Sequence, residues 1–133
     1  MRDGETRTMQ AAGSAVSEWF LAQNQARVVI VGGGVEGTEY ELAAERVVLG
    51  RGPDVDLPFD DSAMSRQHAA LQVGEDGFEI HDLDSTNGVL LNGSLVGVAP
   101  LKHGDKFQLG DHLFQYLLEE REREPRAFEI PES

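Results

Sequence analysis

Three short segments hold the side chains best suited to chemistry: Gly50-Arg51, Ser65-Arg66-Gln67-His68, and Asp84-Ser85-Thr86-Asn87-Gly88, the last followed by Leu91-Asn92-Gly93. Together they offer the guanidinium groups of Arg51 and Arg66, the hydroxyls of Ser65 and Thr86, and the Asn87 carboxamide. Guanidinium forks make charge-assisted, bidentate bonds, and hydroxyls and amides both donate and accept, so the set matches a phosphate monoester. Catalysis fits it poorly. Ser65 and His68 are close in sequence, but no third group orients the histidine and nothing supplies an oxyanion hole, so no catalytic residue is assigned. His81-Asp82 and Asp111-His112 are conceivable metal ligands, yet the histidines lack metal-site spacing, and no metal and no cofactor is expected.

Such residues need a scaffold that gathers them. From Arg27 onward, short runs rich in Val, Ile, Leu and Phe are broken every 8 to 12 residues by Gly, Pro, Asn and Asp, the rhythm of an all-β sandwich or barrel. The predicted strands are 27–31, 38–43, 46–49, 55–59, 69–73, 78–83, 89–91, 95–98, 106–109 and 113–118. In the last of these, His112, Phe114, Tyr116 and Leu118 share one face and Gln115 takes the other. Gly74-Glu75-Asp76-Gly77, Asn92-Gly93 and Gly110-Asp111 mark tight turns, where Gly or Asn supplies a positive φ. Each chemistry-bearing segment sits at a strand edge, so the connecting loops can meet at one end of a sandwich. Residues 1–25 form a leader in which Val16, Trp19, Phe20 and Gln23 fall on one helical stripe. Residues 26–118 form the domain, and 119–133 a charged tail or linker.

The net charge of -13, from 11 Lys+Arg against 24 Asp+Glu, argues against nucleic acid and against anionic membranes, both of which need a basic face. Only Arg27, Arg46, Arg51, Arg66, Lys102 and Lys106 are basic within 26–118, so an anion site must be local. The absence of cysteine removes disulfides and thiolate chemistry. There is neither a basic start followed by an apolar run nor a stretch long enough to span a membrane, which leaves the cytoplasm as the expected location.

The ordered set GR, SRQH and DLDSTNG with a further NG resembles the forkhead-associated (FHA) domain signature over roughly residues 27–118. That resemblance implies an eleven-stranded β-sandwich of two twisted, mainly antiparallel sheets, which binds phosphothreonine peptides through loops at one end. By motif position, Arg51 resembles the arginine that pairs with the phosphate and Ser65 the serine whose hydroxyl and backbone contact it. Arg66 holds the variable basic position, Thr86 lines the site beside the phosphothreonine, and Asn87 resembles the asparagine that holds the peptide backbone. Gly50, His68, Gly88, Asn92 and Gly93 match in structural roles, His68 by tying the loops together. The implied partners are a phosphothreonine-containing protein and, by extension, a Ser/Thr protein kinase. A preference for threonine over serine follows where a small apolar pocket takes the methyl group, worth about 1 to 2 kcal/mol.

One rival and one variant accompany this reading. In RVVIVGGGVEGTEYELA, Gly32, Gly34 and Gly37 satisfy the G-x-G-x-x-G spacing of a nucleotide-binding enzyme. That motif needs a helix after the glycines. Here only Thr38 to Ala44 precede the next strand, and the alternation of Thr38, Tyr40 and Leu42 reads as a hairpin instead. The variant is a kinase-controlled switch, in which a phosphorylated Thr6 or Thr8 of the leader occupies the domain's own pocket.

Overall fold

The computed structural model describes residues 15–121. Thr6 and Thr8 lie outside them. The described chain forms one short helix and eleven strands in two sheets. The strands are β1 (Asn24–Gly32), β2 (Glu39–Glu41), β3 (Arg46–Gly50), β4 (Leu57–Pro58), β5 (Ala69–Gly74), β6 (Gly77–Asp82), β7 (Val89–Leu91), β8 (Ser94–Val96), β9 (Val98–Pro100), β10 (Lys106–Leu109) and β11 (His112–Glu120). One sheet runs β2-β1-β11-β10-β7-β8 and the other β4-β3-β5-β6-β9. All pairings are antiparallel except the short β3–β4 ladder.

Alternation builds the core. In β11, His112, Phe114 and Tyr116 point inward, as the period-two pattern predicts, and in β1 so do Ala26, Val28 and Ile30. They meet Leu49, Leu71, Phe78 and Ile80 of the opposite sheet. Edge-to-face pairs Phe59–Phe114 and Phe78–Tyr116, at 5.2 and 6.2 Å between ring centres, link the two layers. Such pairs add about 0.5 to 1.5 kcal/mol each beyond burial.

The glycine-rich segment is a hairpin loop. β1 and β2 pair antiparallel across it, with Val28 opposite Tyr40, and no helix follows. A Cβ at Gly33 would lie 1.7 Å from the Asp111 carbonyl oxygen, so glycine serves close packing against the β10–β11 turn.

Two expectations need correction. The single strand over 95–98 is two strands in different sheets: β8 pairs with β7, β9 pairs with β6, and the chain crosses at Gly97, whose carbonyl accepts the Asp82 N–H at 2.8 Å. Leu95 and Val98 suggest one apolar strand, but they are 70% and 61% exposed on the outer edges of the two sheets. The leader helix, residues 15–23, turns Val16 and Trp19 to solvent and docks through Ser17, Phe20 and Leu21. Phe20 meets Phe78 edge-on, because the turn at Gly77 leaves that ring uncovered.

The helix, the β5–β6 turn and the end of β11 lie at one end of the sandwich. At the other end are the loops after β3, before β5 and before β7, with the β10–β11 turn beside them.

Candidate phosphate-binding site

Gly50 ends β3 by letting another strand of backbone come unusually close. A Cβ there would lie 2.0 Å from the Arg66 carbonyl oxygen and 2.9 Å from that of Ser65. The approach is sealed by Arg51 N–H to Ser65 O at 2.9 Å, Gly52 N–H to Arg66 O at 3.1 Å and His68 N–H to Leu49 O at 2.9 Å. Arg51 and the Ser65-Arg66 pair are thereby fixed side by side.

Arg51 itself is held by Nε, which donates to the Met64 carbonyl at 3.0 Å. That bond sets the plane of the guanidinium. Its terminal nitrogens make no ion pair among the described residues, and Arg66 makes none either. Arg27, in contrast, is neutralised by Glu39 at 2.9 Å and Glu119 at 3.3 Å.

Ser65 connects two loops. Its Oγ accepts the Thr86 N–H at 2.9 Å, which leaves its own hydroxyl proton to be donated outward. Its backbone N–H, which the resemblance makes a phosphate contact, is donated to His68 Nδ1 at 3.0 Å instead. Ser65 therefore has its hydroxyl proton, rather than its backbone amide, left to donate. Accepting at Nδ1 makes His68 the tautomer protonated at Nε2, which donates to the Gly88 carbonyl at 2.8 Å. His68 is fully buried between the two loops.

The turn before β7 is built by local side-chain capping. Asp82 accepts the Ser85 hydroxyl at 2.6 Å, Ser85 Oγ accepts the Gly88 N–H at 2.9 Å, and Asp84 and Gly88 take positive φ of 61° and 81°. Thr86 and Asn87 are lifted to its exposed crest. Asn92 and Gly93, with φ of 50° and 90°, form the β7–β8 hairpin turn, away from the site.

Arg51, Ser65, Arg66 and Thr86 line a single depression of about 580 Å3. Asn87 stands beside it and separates two further grooves, one bounded by Leu95 and Gly97, the other by Ala63, Gly110 and Asp111. Its Nδ2 donates to the Ala63 carbonyl at 2.8 Å, keeping its Oδ1 and second amide proton for other partners. Sequence reasoning did not anticipate the other walls of the depression: Gly52, Pro53, Asp54, Gln67 and Leu83. Gly52, Pro53 and Asp54 follow the Gly50-Arg51 pair directly, and that adjacency is the one signal for them. Leu83 and Pro53 contribute apolar side chains to a mainly polar wall.

Beneath this surface Asp61 and His112 form a buried pair, with Nδ1 to Oδ2 at 2.7 Å. Burial raises the Asp61 carboxyl, but the His112 hydrogen bond and the N–H groups of Asp111 and Ala63 outweigh it and hold the group below the usual carboxylate value. His112 is thus engaged in structure, and His81 pairs with Glu79. No cluster of three or more metal-ligating side chains occurs among the described residues.

The scaffold and site define a class: a β-sandwich whose loops assemble a small cationic, hydroxyl-bearing depression on an acidic body. The FHA domain model matches residues 47–110. Human proliferation marker protein Ki-67 is 30% identical over 105 residues, covering 78% of this chain but only 3% of that protein. The oxoglutarate dehydrogenase inhibitor of Corynebacterium efficiens is 31% identical over 114 residues, covering 84% of this chain and 80% of that one. A solved structure from a study of phosphothreonine-dependent FHA domain interactions superposes with a TM-score of 0.64 at 27% identity, covering 70% of this chain and 95% of that chain. The chain belongs to the FHA domain family, and it is a protein–protein interaction module of that β-sandwich type.

Proposed function

We propose that this domain binds a phosphothreonine-containing segment of a partner protein, as a non-catalytic adaptor or regulator in cytoplasmic Ser/Thr kinase signalling. The observation that carries the reading is the Arg51 guanidinium. It is anchored through Nε to Met64 and makes no ion pair among the described residues, and it shares one depression with the Ser65 hydroxyl, Arg66 and Thr86. A phosphate monoester brings a charge of about -1.5 to -2 and three strong acceptors, which two arginines and two hydroxyl side chains can satisfy. Arg51 and Arg66 are valuable because the rest of the protein is so acidic. Support also comes from relatives: one is named as an inhibitor of an enzyme, and one solved neighbour comes from work on phosphothreonine-dependent interactions. Leu83, half-buried at the wall, is where a threonine methyl group would find apolar contact.

The test is calorimetric titration of the full chain with matched phosphothreonine, phosphoserine and unmodified peptides. Phosphothreonine binds best and the unmodified peptide does not bind. Arg51→Ala costs roughly 2 to 5 kcal/mol, the range for truncating one partner of a buried charged pair. Arg51→Lys also weakens binding, because an ammonium cannot both hold Met64 and fork onto the phosphate. Equal affinity for phosphorylated and unmodified peptides, or an unchanged Arg51→Ala variant, overturns the reading.

A further inference from the structure

Asp61 touches no part of the depression, yet its carboxylate is the most heavily bonded in the described chain. Its side chain is 1% exposed. Oδ1 accepts the Ala63 N–H at 2.9 Å, and Oδ2 accepts both the Asp111 N–H at 2.8 Å and His112 Nδ1–H at 2.7 Å. The Asp61 carbonyl accepts the Met64 N–H at 3.0 Å, which closes 61–64 into a tight turn. Two carbonyls of that turn hold the recognition side chains: Ala63 O takes Asn87 Nδ2 at 2.8 Å, and Met64 O takes Arg51 Nε at 3.0 Å.

We infer that Asp61 is a positioning residue for phosphopeptide recognition: its carboxylate sets the turn whose carbonyls aim Arg51 and Asn87, and locks that turn to the Gly110–His112 hairpin. The inference rests on the phosphopeptide reading above. Burying a carboxylate is costly unless it is fully hydrogen-bonded, and a neutral turn would close the same loop at less cost. What the charge adds is a rigid junction of three segments. Gly110 seats against it so closely that a Cβ would lie 2.8 Å from Asp61 Oδ2 and 2.9 Å from Met64 N. Gly110 and Asp111 also wall the groove beside Asn87, so the phosphate anchor and one side of the peptide path share a single support. Binding constellations lose affinity when such a supporting shell loosens.

The experiment compares the full-length wild type with Asp61→Asn, His112→Phe, His112→Asn and Phe20→Ala. Each is titrated with the phosphothreonine peptide, and its melting temperature and the hydrogen exchange of Arg51 Nε–H are measured without peptide. Asp61→Asn places an amide against N–H donors, so affinity should fall on the order of tenfold and Arg51 Nε–H should exchange faster. Phe20→Ala removes the Phe20–Phe78 contact at the far end, so it melts lower and binds as wild type. His112→Phe keeps the ring against Phe59 and Phe114 but leaves the buried Asp61 carboxylate one donor short, so it melts lower and its affinity falls as well. His112→Asn keeps a donor near the Nδ1 position but loses the ring, and it melts lower with affinity retained. Affinity that simply follows melting temperature across the series overturns the inference, and the two His112 variants decide it even if Asp61→Asn does not fold. A wild type that binds no phosphopeptide sinks the functional reading instead, while Arg51 Nε–H exchange in the peptide-free proteins still decides the role of Asp61.

Discussion

Gly50→Ala tests the construction of the site at its tightest point. The added methyl group would sit 2.0 Å from the Arg66 carbonyl oxygen and 2.7 Å from its carbon, and such contacts are essentially never shorter than 3.0 Å, so the backbone at 65–66 must retreat by at least about 1 Å. Backbone cannot swing aside as a side chain does. The movement strains the bonds from Arg51 N–H to Ser65 O and from Gly52 N–H to Arg66 O. Overpacking costs about 1 to 3 kcal/mol and each weakened hydrogen bond about 1. A total of about 3 to 5 kcal/mol lowers the melting temperature of a domain this size by at least about 10 °C. Ser65 moves with its backbone, and misplacing a contact by about 1 Å costs up to about a hundredfold in affinity. Thermal denaturation and phosphopeptide titration read the two effects separately. Gly97→Ala is the control, since a Cβ there meets nothing within 4 Å, and it should stay within about 0.5 kcal/mol of wild type. If Gly50→Ala melts within about 2 °C of wild type and binds normally, the argument from close approach is wrong.

The Tyr116 hydroxyl is buried against the Phe78 backbone without a well-formed hydrogen bond, and burial pushes its ionisation up from 10.0 to about 12. As pH rises above 10 the unfolded chain ionises first, so stability present below 10 is lost between there and about 12; Tyr116→Phe should remove that part of the alkaline decline and be neutral or slightly stabilising at pH 7, as chemical denaturation will show. A net charge of -13 opposes acidic ligands, so a phosphopeptide array should favour neutral or basic flanking residues, and a preference for acidic ones would refute this. Stoichiometric phosphorylation of Thr6 or Thr8 should displace an external phosphopeptide if the leader occupies the pocket, and failure to displace it excludes the switch.

Long strands and turn glycines were the most readable parts of the fold. β11 declared itself because His112, Phe114 and Tyr116 alternate with half-buried residues along its first six positions. β8 and β9 did not, because three residues carry no periodicity and their largest apolar side chains face outward. The helix was legible, but its docking face was not: Trp19 is more hydrophobic than Ser17, yet the surface offered by Phe78 selects Phe20 and buries Ser17. At the site, the motif spacing foreshadowed that Arg51, Ser65, Arg66 and Thr86 would come together around one depression, with Asn87 beside it. The Ala63 and Met64 carbonyls could not be foreseen, since every residue has a carbonyl. Asp61 escaped notice as one carboxylate in an acidic chain, for its importance lies in bonds to backbone that folding alone creates.

The pairing of β1 with β11 has a mechanical consequence. The described chain enters at the leader helix and leaves at Arg121, whose N–H and Nε donate to Gln23 and Leu21 carbonyls at 2.8 and 3.0 Å. Entry and exit therefore lie side by side at the end away from the recognition loops, on adjacent antiparallel strands that begin with Asn24 opposite Glu120. Tension applied across these two points would open the ladder rung by rung, like a zipper, rather than shear it all at once. Peeling β11 would take Phe114 and Tyr116 out of the interior early, so a modest pull from behind would dismantle the reading surface in front.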